Sequence, residues 1–355
     1  MDCMSMEMED REFGDALLTW YADNRRSLPW REDPTPYHVW LSEIMLQQTR
    51  VEAVIGYYER FLAALPSVED LAAAPEDVCL KLWEGLGYYS RVRNLHKAAV
   101  MVVSEYGGEL PRSVKDLRRL PGIGGYTAAA IASIAYGEPE PAIDGNLLRI
   151  FSRYTGYAGN IKLPAAAGEA DLFYRGRMPE GRAGDFNQAL MDLGAAVCLP
   201  TAQPRCGACP LRERCDVHGA RPGEELSLPV MPVKKERRID ELTVFVVRDG
   251  DRTVVRKRPA HGLLAGLYEL PNAQGRLTAE EADAWLRGQG LEALRITPLP
   301  EARHIFTHRE WRMQGYLVRI ASLEGAPKPY ILADADQIRG RYAVPSAFSA
   351  YMEYI

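Results

Sequence analysis

The chain has 355 residues, of which 47% are apolar, and its formal net charge is −5. This length predicts two compact domains, and the absence of any apolar run near ~20 residues excludes a membrane-spanning helix. The acidic N-terminus lacks a secretory signal, which predicts a cytosolic protein, and the net charge means that contact with nucleic acid must depend on local basic patches.

The first half of the chain has the periodicity of helices. Apolar spacing predicts one helix over residues 12–26 and, after three prolines, a second over residues 37–65. In the second run, Glu43 lies at the edge of the apolar face that contains Trp40 and Ile44. A carboxyl group drawn toward an apolar surface has a raised pKa, which suits a general acid. A surface glutamate produces the same pattern.

A loop with paired aromatics interrupts the helical pattern of residues 75–108 at Gly85–Tyr89, just before Arg91 and Arg93. Aromatic side chains beside arginines can stack on bases or wedge between them, and core packing explains the pair equally well. From Arg91 to Arg119 there are seven basic residues and three acidic ones, a balance that a solvated helix face shares with a nucleic-acid-binding patch.

A glycine turn follows, and it predicts a helix-turn-helix unit over residues 113–136. Ser113 suits the N-cap of the first helix, and Gly122, Gly124 and Gly125 separate that helix from an alanine-rich one. Backbone N–H groups at the start of the second helix form an anion site that suits a phosphate of nucleic acid. A plain helical corner with glycines at a C-cap is the alternative.

Asp144 stands immediately before the next predicted helix, after Pro139 and Pro141 have ended the alanine-rich one. The position fits a helix N-cap, so capping explains this aspartate without any role in catalysis.

Four cysteines lie close together in the sequence, at positions 198, 206, 209 and 215, whereas Cys3 and Cys79 stand apart and are read as inert. Such a cluster in a cytosolic protein indicates a metal or iron–sulfur site rather than disulfides. A zinc ion bound by the cysteines is the alternative. The arrangement of one cysteine at the end of an apolar helix and three in a short loop suits a [4Fe-4S] cluster.

The C-terminal part has a different pattern. Residues 222–238 contain three prolines without clear periodicity and predict a linker. Beyond it, two strands around Asp249–Gly250, a helix near residues 278–290 and further strands over residues 304–320 predict an α+β domain.

Together these motifs resemble the adenine-specific mismatch DNA glycosylases of the helix-hairpin-helix superfamily, the MutY family. The resemblance extends from about Trp20 to Ile320. It is carried by the four cysteines and by LPWR (28–31), VWLSEIMLQQTRV (39–51), GLGYYSRVRNL (85–95), LPGIGGYTA (120–128), IDGN (143–146) and FNQALMDLGA (186–195).

The resemblance implies a multi-domain fold. Residues 1–221 would form an all-α helix-hairpin-helix glycosylase domain of two lobes, with the hairpin at 113–136 and a [4Fe-4S] cluster loop at 198–215. The active site would lie between a six-helix barrel and the cluster lobe. Residues 239–355 would form a MutT-like (Nudix-like) domain. The glutamate-rich metal-binding helix of Nudix hydrolases is missing after GLYELPN, so this domain is expected to bind rather than hydrolyse.

The resemblance also implies a mechanism. Glu43 would protonate N7 of an extruded adenine, and Asp144 would stabilise the oxocarbenium-like sugar, either electrostatically or through a transient covalent bond, before water completes the hydrolysis. Gly122, Gly124 and Gly125 would hold a DNA phosphate, and Cys198, Cys206, Cys209 and Cys215 would ligate the cluster. Residues expected to contact the extruded adenine, the DNA stack or the opposing 8-oxoguanine are Arg31, Gln48, Thr49, Leu86, Tyr88, Tyr126, Gln188, Phe306, Thr307 and His308.

The lyase members of the superfamily carry a lysine where this chain has Tyr126, so a monofunctional glycosylase is expected. Two departures concern Thr307, where most relatives have serine, and a gap of seven rather than six residues after Cys198. The expected partner is double-stranded DNA with 8-oxoguanine:A or G:A mispairs, met by a monomer in a bacterial cytoplasm, near the nucleoid, without membrane contact. Alternatives are a glycosylase for thymine or uracil, and a non-catalytic DNA-binding or iron–sulfur electron-transfer protein.

Overall fold

The computed structural model describes residues 3–232, 236–323 and 329–355. Contacts divide the described residues into two units, the first formed by residues 3–73 and 94–232 and the second by residues 74–93, 236–323 and 329–355. Residues 233–235 of the predicted linker lie outside the described part. Among the described helices, none has the length and apolar character needed to cross a bilayer.

The chain up to residue 232 is helical, apart from turns and loops, as its periodicity predicts. The helices are α1 (Cys3–Asn24), α2 (Pro29–Glu32), α3 (Pro36–Leu46), α4 (Val51–Ala64), α5 (Val68–Ala73), α6 (Glu76–Leu82), α7 (Ser90–Tyr106), α8 (Val114–Leu117), α9 (Gly125–Tyr136), α10 (Gly145–Thr155), α11 (Pro164–Arg175), α12 (Ala183–Ala196) and α13 (Asp216–Gly219). Short 3₁₀ turns occur at Cys206–Ala208 and Arg212–Arg214.

Helix boundaries follow local signals. The Thr35 hydroxyl caps α3 by accepting the His38 N–H at 3.3 Å, and Ser113 caps α8 by accepting the Asp116 N–H at 3.1 Å. Gly137 ends α9 in the left-handed conformation, with φ of 75°, which is a common way for helices to terminate.

The single helix predicted over residues 37–65 is wrong, because the chain breaks between Leu46 and Val51 to give α3 and α4. Gln48 has φ of 59°, a left-handed conformation that interrupts helical hydrogen bonding. Since α3 is buried nearly all round, no change of apolar periodicity marks the break in the sequence. The hairpin's first helix is also shorter than expected, with α8 forming one turn.

The first unit brings α3, α9, α10 and α12 together. Apolar side chains of α1, α10, α11 and α12 form one buried core, including Leu17, Leu147, Tyr174 and Phe186. Helix α9 packs against both α3 and α12, and α12 packs against α10. Polar side chains on these helices therefore meet at one place.

The second unit contains a seven-stranded mixed sheet, which confirms the expected α+β class. Its strands are β1 (Arg238–Asp249), β2 (Arg252–Lys257), β3 (Tyr268–Glu269), β4 (Asn272–Gln274), β5 (Ala293–Ile305), β6 (Arg309–Ile320) and β7 (Tyr330–Ala333). The main order is β3-β2-β1-β6-β5, with β1 parallel to β6, while β4 pairs with β1 and β7 with β2. Alternate residues of β1 enter separate cores on the two faces, as shown by Val244 and Phe245.

Two helices and a 3₁₀ segment complete the second unit: α14 (Ala279–Gly288), α15 (Ala335–Arg341) and Ser346–Tyr354. Thr278 and Glu281 form a capping box at α14, which explains why a helix begins there.

Residues 74–93 were expected in the helical domain, but their contacts place them in the second unit. Lys81 Nζ donates to the Tyr342 carbonyl at 3.1 Å, and the Val344 N–H donates to Glu84 Oε1 at 2.7 Å. These bonds join positions about 260 residues apart in the chain, so helical spacing gave no sign of them.

Candidate active site

A cavity of about 220 Å³ lies within the first unit, among α3, α9, α12 and the start of α10. The residues from the sequence-based set that line it are Arg31, Glu43, Thr49, Tyr126, Asp144 and Gln188. The structure thus brings together carboxyl, phenol and guanidinium groups from motifs spread over nearly 160 positions of the sequence, from Arg31 to Gln188.

Glu43 is a buried carboxyl group on α3, with 5% of its surface exposed. Burial raises its pKa to about 7, and the charge of Asp144 contributes in the same direction. The Tyr126 hydroxyl donates to Glu43 Oε2 at 2.5 Å, and this bond together with Arg31 opposes the rise in pKa. Glu43 is therefore partly protonated at neutral pH, as a general acid must be.

Asp144 caps α10 and lines the same cavity, so capping and a place in the site are compatible. Its Oδ1 accepts the N–H groups of Asn146 and Leu147, both at 2.8 Å, and Oδ2 accepts the Asn146 side-chain amide at 2.8 Å. Burial raises the pKa of Asp144, whereas these three bonds favour the carboxylate and oppose the rise. The surroundings differ from those of Glu43, which gives the two groups different tasks.

Arg31 lines the cavity but is already paired. Its guanidinium donates two hydrogen bonds to Asp192 of α12, at 2.7 and 3.0 Å. The sequence reasoning missed Asp192. The only signal was one acidic residue inside the apolar segment Ala189–Ala196.

Two residues expected to enter the DNA stack have exposed side chains on a left-handed backbone. Gln48 has φ of 59°, and Tyr88 has φ of 48° with 45% of its surface exposed. Non-glycine residues adopt this conformation rarely, and such strain is concentrated at functional sites. Leu86 differs from expectation: it is only 7% exposed, because its side chain belongs to the protein core.

The glycine turn leaves the start of α9 open. Gly122 has φ of 80°, and a Cβ there would lie 2.7 Å from Cβ of Asn94. Gly124 is the N-cap of α9 and supplies no side-chain cap, and a Cβ at Gly124 or Gly125 would meet nothing within 4 Å. Gly124 and Gly125 are both exposed, so an anion can approach the N–H groups at the start of α9.

Basic residues of the hairpin line an open depression of about 730 Å³. They are Arg112, Lys115, Arg118 and Arg119, accompanied by Glu138 and Glu140. Arg91 does not belong to an exposed patch, because it is buried against the rings of Trp83 and Tyr88 at 5.3 and 5.5 Å. Arg91 is therefore not part of the exposed basic surface, although the charge count over residues 91–119 included it.

The four clustered cysteines surround one small cavity of about 40 Å³ and are all free thiols. Burial raises the pKa of the Cys209 thiol to about 12, so this sulfur needs a cationic group to become a thiolate ligand. Nη1 of Arg153 donates to Cys198 Sγ at 3.3 Å. The donor set fits a metal group held by thiolates.

Cys206 belongs to a set of ligand atoms that lie close together. A tetrahedral zinc with Zn–S bonds of ~2.3 Å brings its sulfurs within about 4 Å of one another. Among the described residues, one group of ligand atoms that lie within 4.8 Å of one another is formed by Cys206, His218 and Glu225. Glu225 is already bonded to Gln203 at 3.0 Å.

The candidate recognition residues of the second unit lie at the tip of the β5–β6 hairpin. Phe306 is half-buried against the rings of His304 and Trp311, at 4.6 and 4.9 Å, whereas Thr307 and His308 are exposed. The Thr307 hydroxyl shares a short hydrogen bond with the Tyr88 hydroxyl. This hydrogen bond connects two motifs that are 219 positions apart in the sequence.

Comparisons with known proteins match both the helical part and the C-terminal part of the chain. Residues 41–168 match the model of the HhH-GPD superfamily of base excision DNA repair proteins, and residues 243–354 match a NUDIX domain model. The chain is 35% identical to the adenine DNA glycosylase of Mus musculus, over 89% of this chain and 72% of the mouse protein. It is 31% identical to that of Buchnera aphidicola (strain APS), over 87% of each chain.

Similar solved structures cover the helical part. A thermostable thymine-DNA glycosylase matches with a TM-score of 0.55 and 30% identity, over 62% of this chain and all of that one. An endonuclease III in a non-covalent DNA complex matches with a TM-score of 0.52 and 23% identity, over 61% of this chain and 97% of that one, which establishes a shared fold.

Proposed function

Because this chain belongs to the MutY family of adenine DNA glycosylases, we propose that it hydrolyses adenine from mispairs with 8-oxoguanine or guanine in duplex DNA. The observation that carries the proposal is the single cavity lined by Glu43 and Asp144, with different surroundings for the two carboxyl groups. A cavity of about 220 Å³ has room for one nucleobase, so the adenine must leave the stack to enter it.

In the proposed reaction, Glu43 donates its proton to N7 of the flipped adenine, so that the base departs as a neutral leaving group. Asp144 stabilises the positive charge that develops on the sugar as the N-glycosidic bond breaks, and water completes the hydrolysis. Gln48 and Tyr88 fill and wedge the DNA stack near the opposing base. Their exposed side chains support this role.

We expect no cleavage of the DNA backbone. Lyase chemistry requires an amine that attacks the sugar to form a Schiff base. Burial raises the pKa of the Tyr126 phenol well above its ordinary value, and the hydroxyl is bonded to Glu43. An efficient borohydride-trapped adduct between enzyme and DNA would contradict this expectation.

A [4Fe-4S] cluster would be held by Cys198, Cys206, Cys209 and Cys215. When bound, it supplies a cross-link that joins the end of α12 to the cysteine loop. Arg149 donates to the Cys198 carbonyl at 2.8 Å and to Asn146 Oδ1 at 2.9 Å. Because Asn146 also bonds to Asp144, Arg149 connects the Asp144 cap with one of the four cysteines.

Thr307 is proposed to recognise 8-oxoguanine, with Tyr88 orienting its hydroxyl. We expect Thr307→Ala to lower the preference for 8-oxoguanine:A over G:A about fivefold, since the hydrogen bond is worth about 1 kcal/mol. Thr307→Ser, which keeps the hydroxyl, should retain the preference. The measurement is single-turnover adenine release from both duplexes, and equal preference in all three proteins would exclude this role.

The hairpin turn is proposed to hold a DNA phosphate. Gly122→Ala should reduce stability by about 1–3 kcal/mol, because it forces alanine into a left-handed conformation against Asn94. Gly124→Ala has open space and an extended backbone, so it should preserve the Tm while its methyl group weakens DNA binding. Thermal unfolding and fluorescence anisotropy with duplex DNA test the pair. Unchanged binding by folded Gly124→Ala would contradict the phosphate contact.

The decisive test of the proposed function is single-turnover release of adenine by cluster-loaded protein from an 8-oxoguanine:A duplex, with G:A and T:A duplexes as controls. Release from the lesion pair and none from T:A is the expected result. A protein that releases nothing from the lesion pair would refute the proposal.

Removal of thymine from a mismatch is a second candidate, favoured by the likeness of the helical part to a thymine-DNA glycosylase. That structure corresponds to 62% of this chain, the remainder of which includes the NUDIX match at residues 243–354. A G:T duplex in the same assay separates the two candidates.

A further inference from the structure

The carboxylate of Asp192 on α12 has no part in the reaction steps above, yet it is 1% exposed and fully engaged. It accepts two hydrogen bonds from Arg31, at 2.7 and 3.0 Å. Its Oδ1 also lies 2.7 Å from Arg26 Nε and 2.6 Å from Arg26 Nη2. One buried carboxylate therefore holds two guanidinium groups, and both arginines line the cavity that contains Glu43.

We propose that Asp192 is a positioning residue that fixes Arg26 and Arg31 on the cavity wall and offsets their positive charge near Glu43. This inference rests on the proposed role of Glu43 as the acid. Arg31 favours the ionised form of Glu43, so the acid keeps its proton only if that influence is limited.

The charges around Glu43 come from several elements. Besides Glu43, the titratable and charged groups that line the cavity are Arg26 before α2, Arg31 in α2, Tyr126 in α9 and Asp144 before α10, and Asp192 in α12 pairs with the two arginines. When Glu43 and Tyr126 are neutral, the positive charges of the two arginines equal the negative charges of the two aspartates. Loss of one negative charge leaves the cavity positive, which favours the carboxylate of Glu43 over the acid.

The test is Asp192→Asn, which removes the charge and keeps the shape. Adenine release should fall with rising pH about one pH unit earlier than in the wild-type protein, so the loss should be about tenfold at pH 8 and smaller at pH 5. A merely structural role would slow release by the same factor at every pH.

Two further variants define the cause. Asp185→Asn removes an exposed carboxylate of the same helix, paired with Arg182 at 2.8 Å, and should leave the pH profile in place. Asp192→Asn combined with Arg31→Gln restores the charge balance and should return the profile toward that of the wild type. If Asp192→Asn fails to fold, Arg31→Gln alone should move the profile to higher pH, and the absence of that shift would overturn the proposal.

A readout without DNA separates this inference from the proposed function. Carbon-13 NMR titration of glutamate-labelled protein, with the Glu43 signal assigned by Glu43→Gln, should show a lower pKa for Glu43 in Asp192→Asn. An unchanged pKa there refutes the role of Asp192, whatever the activity. If the pKa of Glu43 is lower in Asp192→Asn but the wild-type protein releases no adenine, only the proposed reaction is refuted.

Discussion

Glu43→Gln should slow adenine release about 10³-fold while leaving binding to the mispaired duplex within a few-fold of wild type. Glutamine fills the same space beside Tyr126 but has no proton to give to the base, and positioned general acids contribute roughly 10²- to 10⁴-fold. The wild-type rate should be maintained below pH 7 and fall above it, because the pKa of Glu43 is about 7 and only the protonated form acts. Single-turnover rates across pH 5 to 9 and anisotropy titrations are the measurements.

Stability provides an independent control on the same variant. The pKa of Glu43 rises from 4.5 to about 7 on folding, so the stabilising contribution of its neutral form is complete below pH 4.5 and is lost as the pH rises through 7. Glu43→Gln should therefore increase the free energy of unfolding relative to wild type at pH 8, by up to roughly 3 kcal/mol, with little gain at pH 4. A stability difference that does not depend on pH would contradict the burial of a titrating carboxyl group.

Asp144→Asn should slow adenine release about 10²- to 10³-fold, because the neutral amide no longer stabilises a positive charge on the sugar. Asparagine is as good an N-cap as aspartate, so α10 should remain capped and the Tm should be nearly unchanged. The variant thus separates the two functions of this residue. Single-turnover kinetics and thermal unfolding of the same preparation are needed.

Asp144→Ala is the matched comparison, since it removes the charge and the cap together. It should lose the same activity as Asp144→Asn and, in addition, about 1 kcal/mol of stability, because the N–H groups of Asn146 and Leu147 lose their acceptor. If folded Asp144→Asn keeps wild-type activity, Asp144 serves only as a helix cap and has no role in catalysis.

The chain resembles both adenine DNA glycosylases and a thymine-DNA glycosylase, so its fold does not by itself select a base. Selection is proposed to depend on the lining of the cavity and on Thr307 of the second unit. Assays that compare bases and opposing bases are therefore more informative than any further comparison of folds.

The sequence alone determined the order of the parts: a helical half, a glycine hairpin, a cysteine cluster and an α+β end. Each of these leaves a local signal, such as apolar periodicity, glycines at a turn or closely spaced thiols. The roles of Glu43 and Asp144 followed only from the family resemblance, because locally a surface glutamate and a helix cap explain the two residues.

Only the tertiary structure decided what those residues meet. The raised pKa of Glu43 depends on its burial beside Tyr126 of α9, and the ion pairs of Asp192 join a helix to arginines more than 160 positions away. The helix that periodicity predicted over residues 37–65 is interrupted at Gln48, which has a left-handed backbone conformation. Leu86 is buried, although a contact with DNA was expected there. Burial, backbone strain and pairing across the chain arise from packing between distant segments, and a linear pattern carries no record of which segments pack together.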